Sequence, residues 1–301
     1  MATYNASIKK ALSSEQKDLI DHKEHCSANP EKLATVGRAV KHQVRIKRND
    51  AEYGLYTVSE VRPENPDNVV RVGKDGRERL GTTDEFDGTL DSQVPHATFS
   101  DTEAECNGEF VERLDDDGTH TGLIAIAPHG GDIEAWTDQQ GERVASQLSC
   151  RGVSAWRCKG WHRKGAHEHW HITATDINEA SFPLLNSVIS RGFMYAVAFH
   201  GFDDADIPYD ILVGGLACDV LKDDIQEAIE GVVGAEFTVH ITTPNEKFGG
   251  DDEQNIVNRL TASGKNGIQI EQKIGPRAKY ALDIADAVAY VYDCKLGLFT
   301  T

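Results

Sequence analysis

The sequence predicts an α/β fold: an open sheet flanked by helices, preceded by a small β-rich domain. Three observations predict it. Past residue 118, short apolar runs alternate with helical stretches, the pattern of an open α/β sheet. Before residue 82, strand-like pieces follow one another closely with turn residues between them. A chain of 301 residues with 39% hydrophobic content is long enough to bury a real core in one large or two modest domains. The expected division is 1–82 for the β-rich accessory domain and 83–301 for the larger one.

Residues 6–20 read as an amphipathic helix, with Ile8, Ala11, Leu12 and Leu19 as its apolar positions. Residues 43–46, 54–58 and 69–72 read as strands. Asn49-Asp50, Pro63-Glu64-Asn65-Pro66 and Lys74-Asp75-Gly76 supply the turns. Strands so close together suit a small barrel over 25–82. From 81 to 117 the chain is acidic and weakly patterned, a connector carrying the first strand of the next domain. The run 123–127 then starts a sheet, followed by a helix over 134–148. Further strands are expected at 153–156, 169–172, 196–199, 210–213, 237–241 and 267–270. Helices are expected at 182–191, 225–232 and 279–291.

Composition excludes several functions. Acidic side chains outnumber basic ones 49 to 31, a formal charge of -18. Phosphate binding needs clustered Lys and Arg, so a nucleic-acid partner is disfavoured. The acidic stretches are scattered and read as a solvated surface. No apolar run is long enough for a bilayer-spanning helix, and no hydrophobic signal core follows Met1. A cytoplasmic chain is expected. Its six cysteines form no C-x-x-C pair and read as reduced thiols.

Three groups with chemical potential fall at expected strand ends, where an open α/β sheet places its ligands. In Pro128-His129-Gly130-Gly131-Asp132-Ile133-Glu134, a strand stops and two glycines allow a tight turn. His129 and Glu134 can then face one centre. Phe199-His200-Gly201 ends a second apolar strand. In Gly267-Ile268-Gln269-Ile270-Glu271, alternation puts Glu271 on the face of Gln269. Two imidazoles and a carboxylate suit Zn²⁺ with one position left for water. Glu271, if not a ligand, can take a proton from that water.

Each residue also has an ordinary reading. A histidine after a strand is commonly a turn residue, Glu134 suits a helix N-terminus, and Glu271 could pair with a surface cation. Their joint placement favours the site. A rival lies in His167-Glu168-His169-Trp170-His171, which as a strand would project three histidines to one side. His167 and His169 read there as an exposed polar edge, and His171 as a strand end near the pocket.

These segments together resemble the poly-γ-glutamate hydrolase family, phage-encoded and bacterial depolymerases often labelled phage replication proteins. Ala125-Ile126-Ala127-Pro128-His129-Gly130-Gly131-Asp132-Ile133-Glu134 is similar to its His-Gly-Gly-x-Ile-Glu signature. His171-Ile172-Thr173, Ala198-Phe199-His200-Gly201, Val213-Gly214-Gly215, Asn255-Ile256-Val257-Asn258-Arg259 and Gly267-Ile268-Gln269-Ile270-Glu271 follow in the family's order across 119–280. The resemblance implies an open mixed sheet with a zinc-carboxypeptidase-like core. It implies His129, Glu134 and His200 as zinc ligands and Glu271 as general base. Asn258, Arg259 and His171 would meet an anionic, peptide-like substrate, with Arg259 suited to a bidentate carboxylate clamp.

The family continues Ile-Glu-Pro-Gly-Thr where this chain has Ile133-Glu134-Ala135-Trp136-Thr137, which bears on the polymer it accepts. The expected function is zinc-dependent hydrolysis of γ-glutamyl amide bonds. The alternatives are a zinc amidase or deacylase on another small amide, and a non-catalytic phage-associated binding protein. A replication factor, suggested by the family's other label, is disfavoured by the acidic composition.

Overall fold

The structure, a computed structural model, describes residues 2–15 and 19–297. The chain divides into two compact units. One holds the residues up to Phe110 together with His162–Pro183, and the other holds Val111–Trp161 with the residues from Leu184 onward.

Period-two burial builds the first unit. Along β1 (Thr3–Lys10), Tyr4, Ala6 and Ile8 are buried while Thr3 and Asn5 are exposed. With β2 (His25–Ala28), β3 (Gln43–Asn49), β4 (Glu52–Val61), β5 (Val69–Val72) and β6 (Phe86–Asp91) it forms a closed barrel. The strand order is β1-β5-β2-β4-β3-β6, so closure leaves no unpaired edge. Ile8, Val44, Ile46, Val58, Val72 and Leu90 fill its interior. The 162–183 segment is fastened to this unit by polar contacts. Ser181 Oγ accepts the Gln43 N–H at 2.8 Å, and Gln43 Nε2 donates to the Asp176 carbonyl at 2.6 Å.

Three expectations need correction in this unit. The first is the helix over 6–20. Its start is a strand, because Ile8 belongs with Tyr4 and Ala6 in an alternating set; residues 16–18 lie outside the described residues. The second is the boundary at 82/83. β6 lies beyond it, yet pairs with both β1 and β3 and closes the barrel. The third is the strand over 169–172. Ala166–Trp170 is a short helix, which stacks the rings of His167 and His171 at 4.5 Å, one turn apart, and buries His169 against His162. The three histidines therefore do not share one side, and His169 is no exposed edge.

The second unit is a mixed α/β layer. β7 (Phe110–Asp115), β8 (Leu123–Gly131), β9 (Ser154–Gly160), β10 (Tyr195–Gly201), β11 (Ile211–Gly214), β12 (Val239–Ile241) and β13 (Gly267–Gln272) form one sheet. Its order is β12-β11-β13-β10-β8-β9-β7. β9, β8, β10 and β13 pair parallel to one another, while β11 runs antiparallel to β13. Apart from half-exposed Gly131, Tyr195 and Gly201, every residue of β8, β10 and β13 is buried, as expected of central strands covered on both faces.

Among its helices are α1 (Thr137–Gln147), α2 (Asp219–Val233), α3 (Ile256–Arg259) and α4 (Ile274–Gly297). Leu123, Ala125, Val197, Phe199, Ile268 and Ile270 share a core with Val144 of α1, Ile225 of α2 and Ile284 and Val288 of α4. That face is dry packing. Ala196, Ala198, His200, Gln269 and Glu271 take the opposite face of their strands. The elements expected from 123 onward coincide with these strands and helices to within a few residues, apart from 169–172; the helix expected over 182–191 is the short helix Pro183–Val188. The first strand placed in the 81–117 connector is β7.

Candidate active site

β13, β10 and β8 are adjacent and parallel, so their carboxyl ends meet at one edge of the sheet. His129 lies near the end of β8, His200 near the end of β10 and Glu271 near the end of β13.

Strict alternation would not bring His129 to this face. Ile124 and Ile126 pair with Ala196 and Ala198, so His129 should point with Ala125 and Ala127 toward the helical core. The register shifts, however. Ala127 pairs with Arg157 and Gly130 with Lys159, three steps on β8 against two on β9. This bulge turns His129 over to the face of His200. It also points Gly130 at α1, where a β-carbon would come within 2.4 Å of Asp138 Cβ. Asp138 holds the turn, accepting the Gly131 N–H at 3.2 Å and pairing with Lys159 at 3.0 Å. The Glu134 N–H closes the loop onto the His129 carbonyl at 2.8 Å.

The result is a tight convergence of three buried groups. Glu134 Oε1 is 3.0 Å from His129 Nδ1, and Glu134 Oε2 is 3.5 Å from His200 Nδ1. The two Nδ1 atoms are 3.2 Å apart. Gly201 donates its N–H to Glu134 Oε2 at 2.8 Å. A single proton cannot satisfy all three of the imidazole and carboxylate contacts, because each Nδ1 faces two acceptors. One cation at their centre can. Tetrahedral zinc with bonds of about 2.0–2.1 Å spaces its ligand atoms about 3.3–3.4 Å apart, close to the spacing found here. The donor set fits a divalent ion.

Glu271 stands beside this cluster, in register with His200 on the neighbouring strand. Gln269 Nε2 donates to Glu271 Oε1 at 2.9 Å, and Asn255 Nδ2 donates to Gln269 Oε1 at 2.7 Å. This buried relay fixes one carboxylate oxygen. The other, Oε2, is buried without a hydrogen-bond partner among the described residues.

The two carboxyl groups are driven apart in acidity. Burial pushes Glu134 upward, but His129 and His200 reverse this and hold it well below the ordinary carboxylate range. Burial and the charge of Glu134 push Glu271 up to about 8, against the pull of His200, Arg277 and Gln269. One group stays ionised while its neighbour exchanges a proton near neutrality, the division of labour expected of a charge-bearing ligand and an acid–base residue.

The remaining expected residues are placed differently. Asn258, on α3, is fully buried, and its amide is spent on the backbone: Nδ2 donates to the carbonyls of Gly250 at 2.8 Å and Asp252 at 2.9 Å. Its Oδ1 accepts from Leu216 at 3.3 Å. These contacts clasp a loop. Arg259 is half-buried at the end of α3. His171 belongs to the first unit, directly after the Ala166–Trp170 helix. Arg277 and the Asn255–Gln269 link lie outside the expected site residues. Gln269 was legible from strand alternation, but nothing in the local pattern marked Arg277.

The fold is that of a mixed α/β protein with buried histidine and carboxylate side chains gathered at adjacent strand ends. The poly-gamma-glutamate hydrolase family profile matches residues 99–284. The chain belongs to that family of hydrolases. It is 28% identical over 152 residues to the SPbeta prophage-derived UPF0714 protein YoqZ of Bacillus subtilis (strain 168), covering 50% of this chain and 48% of that one. The chain thus spans about half the length of this curated relative. A bacteriophage poly-gamma-glutamate hydrolase structure matches at 26% identity and a TM-score of 0.49, over 62% of this chain and 90% of the other. Zinc-free apo YNDL matches at 22% identity and a TM-score of 0.48, with the same coverage of both chains.

Proposed function

We propose that this protein hydrolyses γ-glutamyl amide bonds at a zinc centre held by His129, Glu134 and His200. The observation that carries this reading is the 3.0–3.5 Å convergence of those three buried groups beside Glu271. Membership of a poly-gamma-glutamate hydrolase family supports the hydrolase class and favours a γ-linked substrate. The same reading takes the sheet as zinc-carboxypeptidase-like, with ligands and base on neighbouring strand ends.

When bound, the ion would act as a Lewis acid on the amide carbonyl and on the attacking water. Glu271 takes a proton from that water and delivers it to the leaving nitrogen. Gln269 leaves Glu271 Oε2 as the oxygen free to do so. Glu134 stays ionised throughout, held so by its two histidines. Arg259 offers the planar fork that an α-carboxylate beside a γ-amide would engage. In a chain with a formal charge of -18, such a cation matters for an anionic polymer.

A second reading, hydrolysis of another small amide, is favoured by Trp136. It is half-exposed two residues beyond Glu134, where the family pattern has glycine. Assays of purified protein with γ-linked polyglutamate, α-linked polyglutamate and small acylated amides, before and after chelation, separate the two. Cleavage of the γ-linked polymer alone, lost on chelation and restored by zinc, is expected. Chelator-resistant cleavage would contradict the zinc centre, and cleavage of small amides only would contradict the polymer.

A further inference from the structure

Arg277 sits on the first turn of α4, only 6% exposed. Its guanidinium bridges two backbone segments, each directly following a ligand of the proposed zinc centre. Nη1 donates to the carbonyl of Ala135, next to Glu134, at 3.0 Å. On the other side it packs flat against Gly201, next to His200. A β-carbon on Gly201 would lie 2.2 Å from the guanidinium carbon. Gly201 does not occupy the left-handed backbone region, so this glycine supplies room rather than backbone freedom.

The arrangement is costly. Nε is buried with no hydrogen-bond partner among the described residues, and a desolvated guanidinium is expensive even when countered by the charges of Glu134 and Glu271. An apolar side chain of similar size would fill the space without that cost. What it could not do is join the Ala135 carbonyl to the Gly201 backbone through a rigid, charged plane.

We propose that Arg277 is a positioning residue. Its guanidinium, wedged between the Ala135 carbonyl and Gly201, sets the distance between Glu134 and His200 and thereby the affinity and geometry of the metal site. Gly201 is the other half of this device, since it alone lets the guanidinium approach while donating its N–H to Glu134. The proposal rests on the zinc reading above.

Zinc affinity by chelator competition and the visible absorption of the cobalt-substituted full-length chain test it. Arg277→Gln and Arg277→Lys should each bind zinc about 10–100-fold more weakly than wild type, with altered cobalt spectra. Lysine keeps the charge but not the plane, so it should fail to rescue. Gly201→Ala should weaken binding similarly. Combined with Arg277→Gln it should add nothing further, because no guanidinium remains to be displaced. Melting curves of the metal-free variants verify folding, and should Arg277→Gln not fold, the Lys and Ala variants carry the test. Wild-type affinity and spectrum in either Arg277 variant, or full additivity with Gly201→Ala, would overturn the proposal. Failure of the zinc reading looks different: wild type itself would bind no zinc, or His129→Ala would bind it unchanged, and the proposal would fall with that reading.

Discussion

His200 and Glu271 are register partners on the adjacent parallel strands β10 and β13, and both side chains leave the sheet on the same face. Neighbouring strands lie about 4.8 Å apart, so the imidazole and the carboxyl group are held side by side by backbone hydrogen bonds. Neither position depends on a loop.

Glu271→Gln keeps shape and removes the base. Its metal content should match wild type, while turnover on the substrate falls by roughly 10²–10⁴-fold. Steady-state kinetics beside metal analysis checks this, and wild-type-like turnover would remove Glu271 from the chemistry.

Gln269 holds Glu271 through a buried amide that Asn255 fixes in turn. Gln269→Leu should leave the Asn255 amide and Glu271 Oε1 unpaired. A stability loss of about 1–3 kcal/mol is expected in denaturant melts. Turnover should fall more than zinc affinity, because the ligands themselves are untouched.

The pH dependence of stability in chelated protein follows from Glu271. Its folded-state pKa is raised from 4.5 to about 8, so folding takes up a proton between those values. Its contribution is fully present below pH 4.5 and is lost as pH rises through about 8. Urea melts across that window should show stability declining with pH, and Glu271→Gln should flatten the slope. An identical slope in the variant would refute the assignment.

Trp136 directly precedes α1 with φ at +74°, in the left-handed region. A non-glycine residue there carries roughly 1–2 kcal/mol of backbone strain. Trp136→Gly should therefore be more stable than Trp136→Ala by about 1 kcal/mol, the reverse of their usual order in helices. Paired melting curves read the difference directly.

Much of the second unit was legible because its central strands are continuous apolar runs. Leu123 to Ala127 and Ala196 to Phe199 cannot sit at a surface, and the histidines that end them stand out. The barrel was harder. In β1 and just beyond it, Ile8, Ala11 and Leu12 match a helical spacing by coincidence, and only the pairing of Thr3–Lys10 with β5 and β6 selects the strand. β2 is buried at all four positions and has no alternation to read. The bulge that turns His129 over leaves no trace in local pattern, since it is a mismatch with β9. The signature around His129 singled that residue out without showing how it comes to face Glu134 and His200. Arg277 becomes visible only when α4 folds back over the strand ends.

The measurement that bears most directly on the proposed zinc centre is an anomalous difference map at the zinc edge from crystals grown with zinc. A single peak bounded by His129, Glu134 and His200, absent from His200→Ala crystals, is the predicted result. A peak among the histidines at 162–171, with nothing at the ends of β8 and β10, would contradict it.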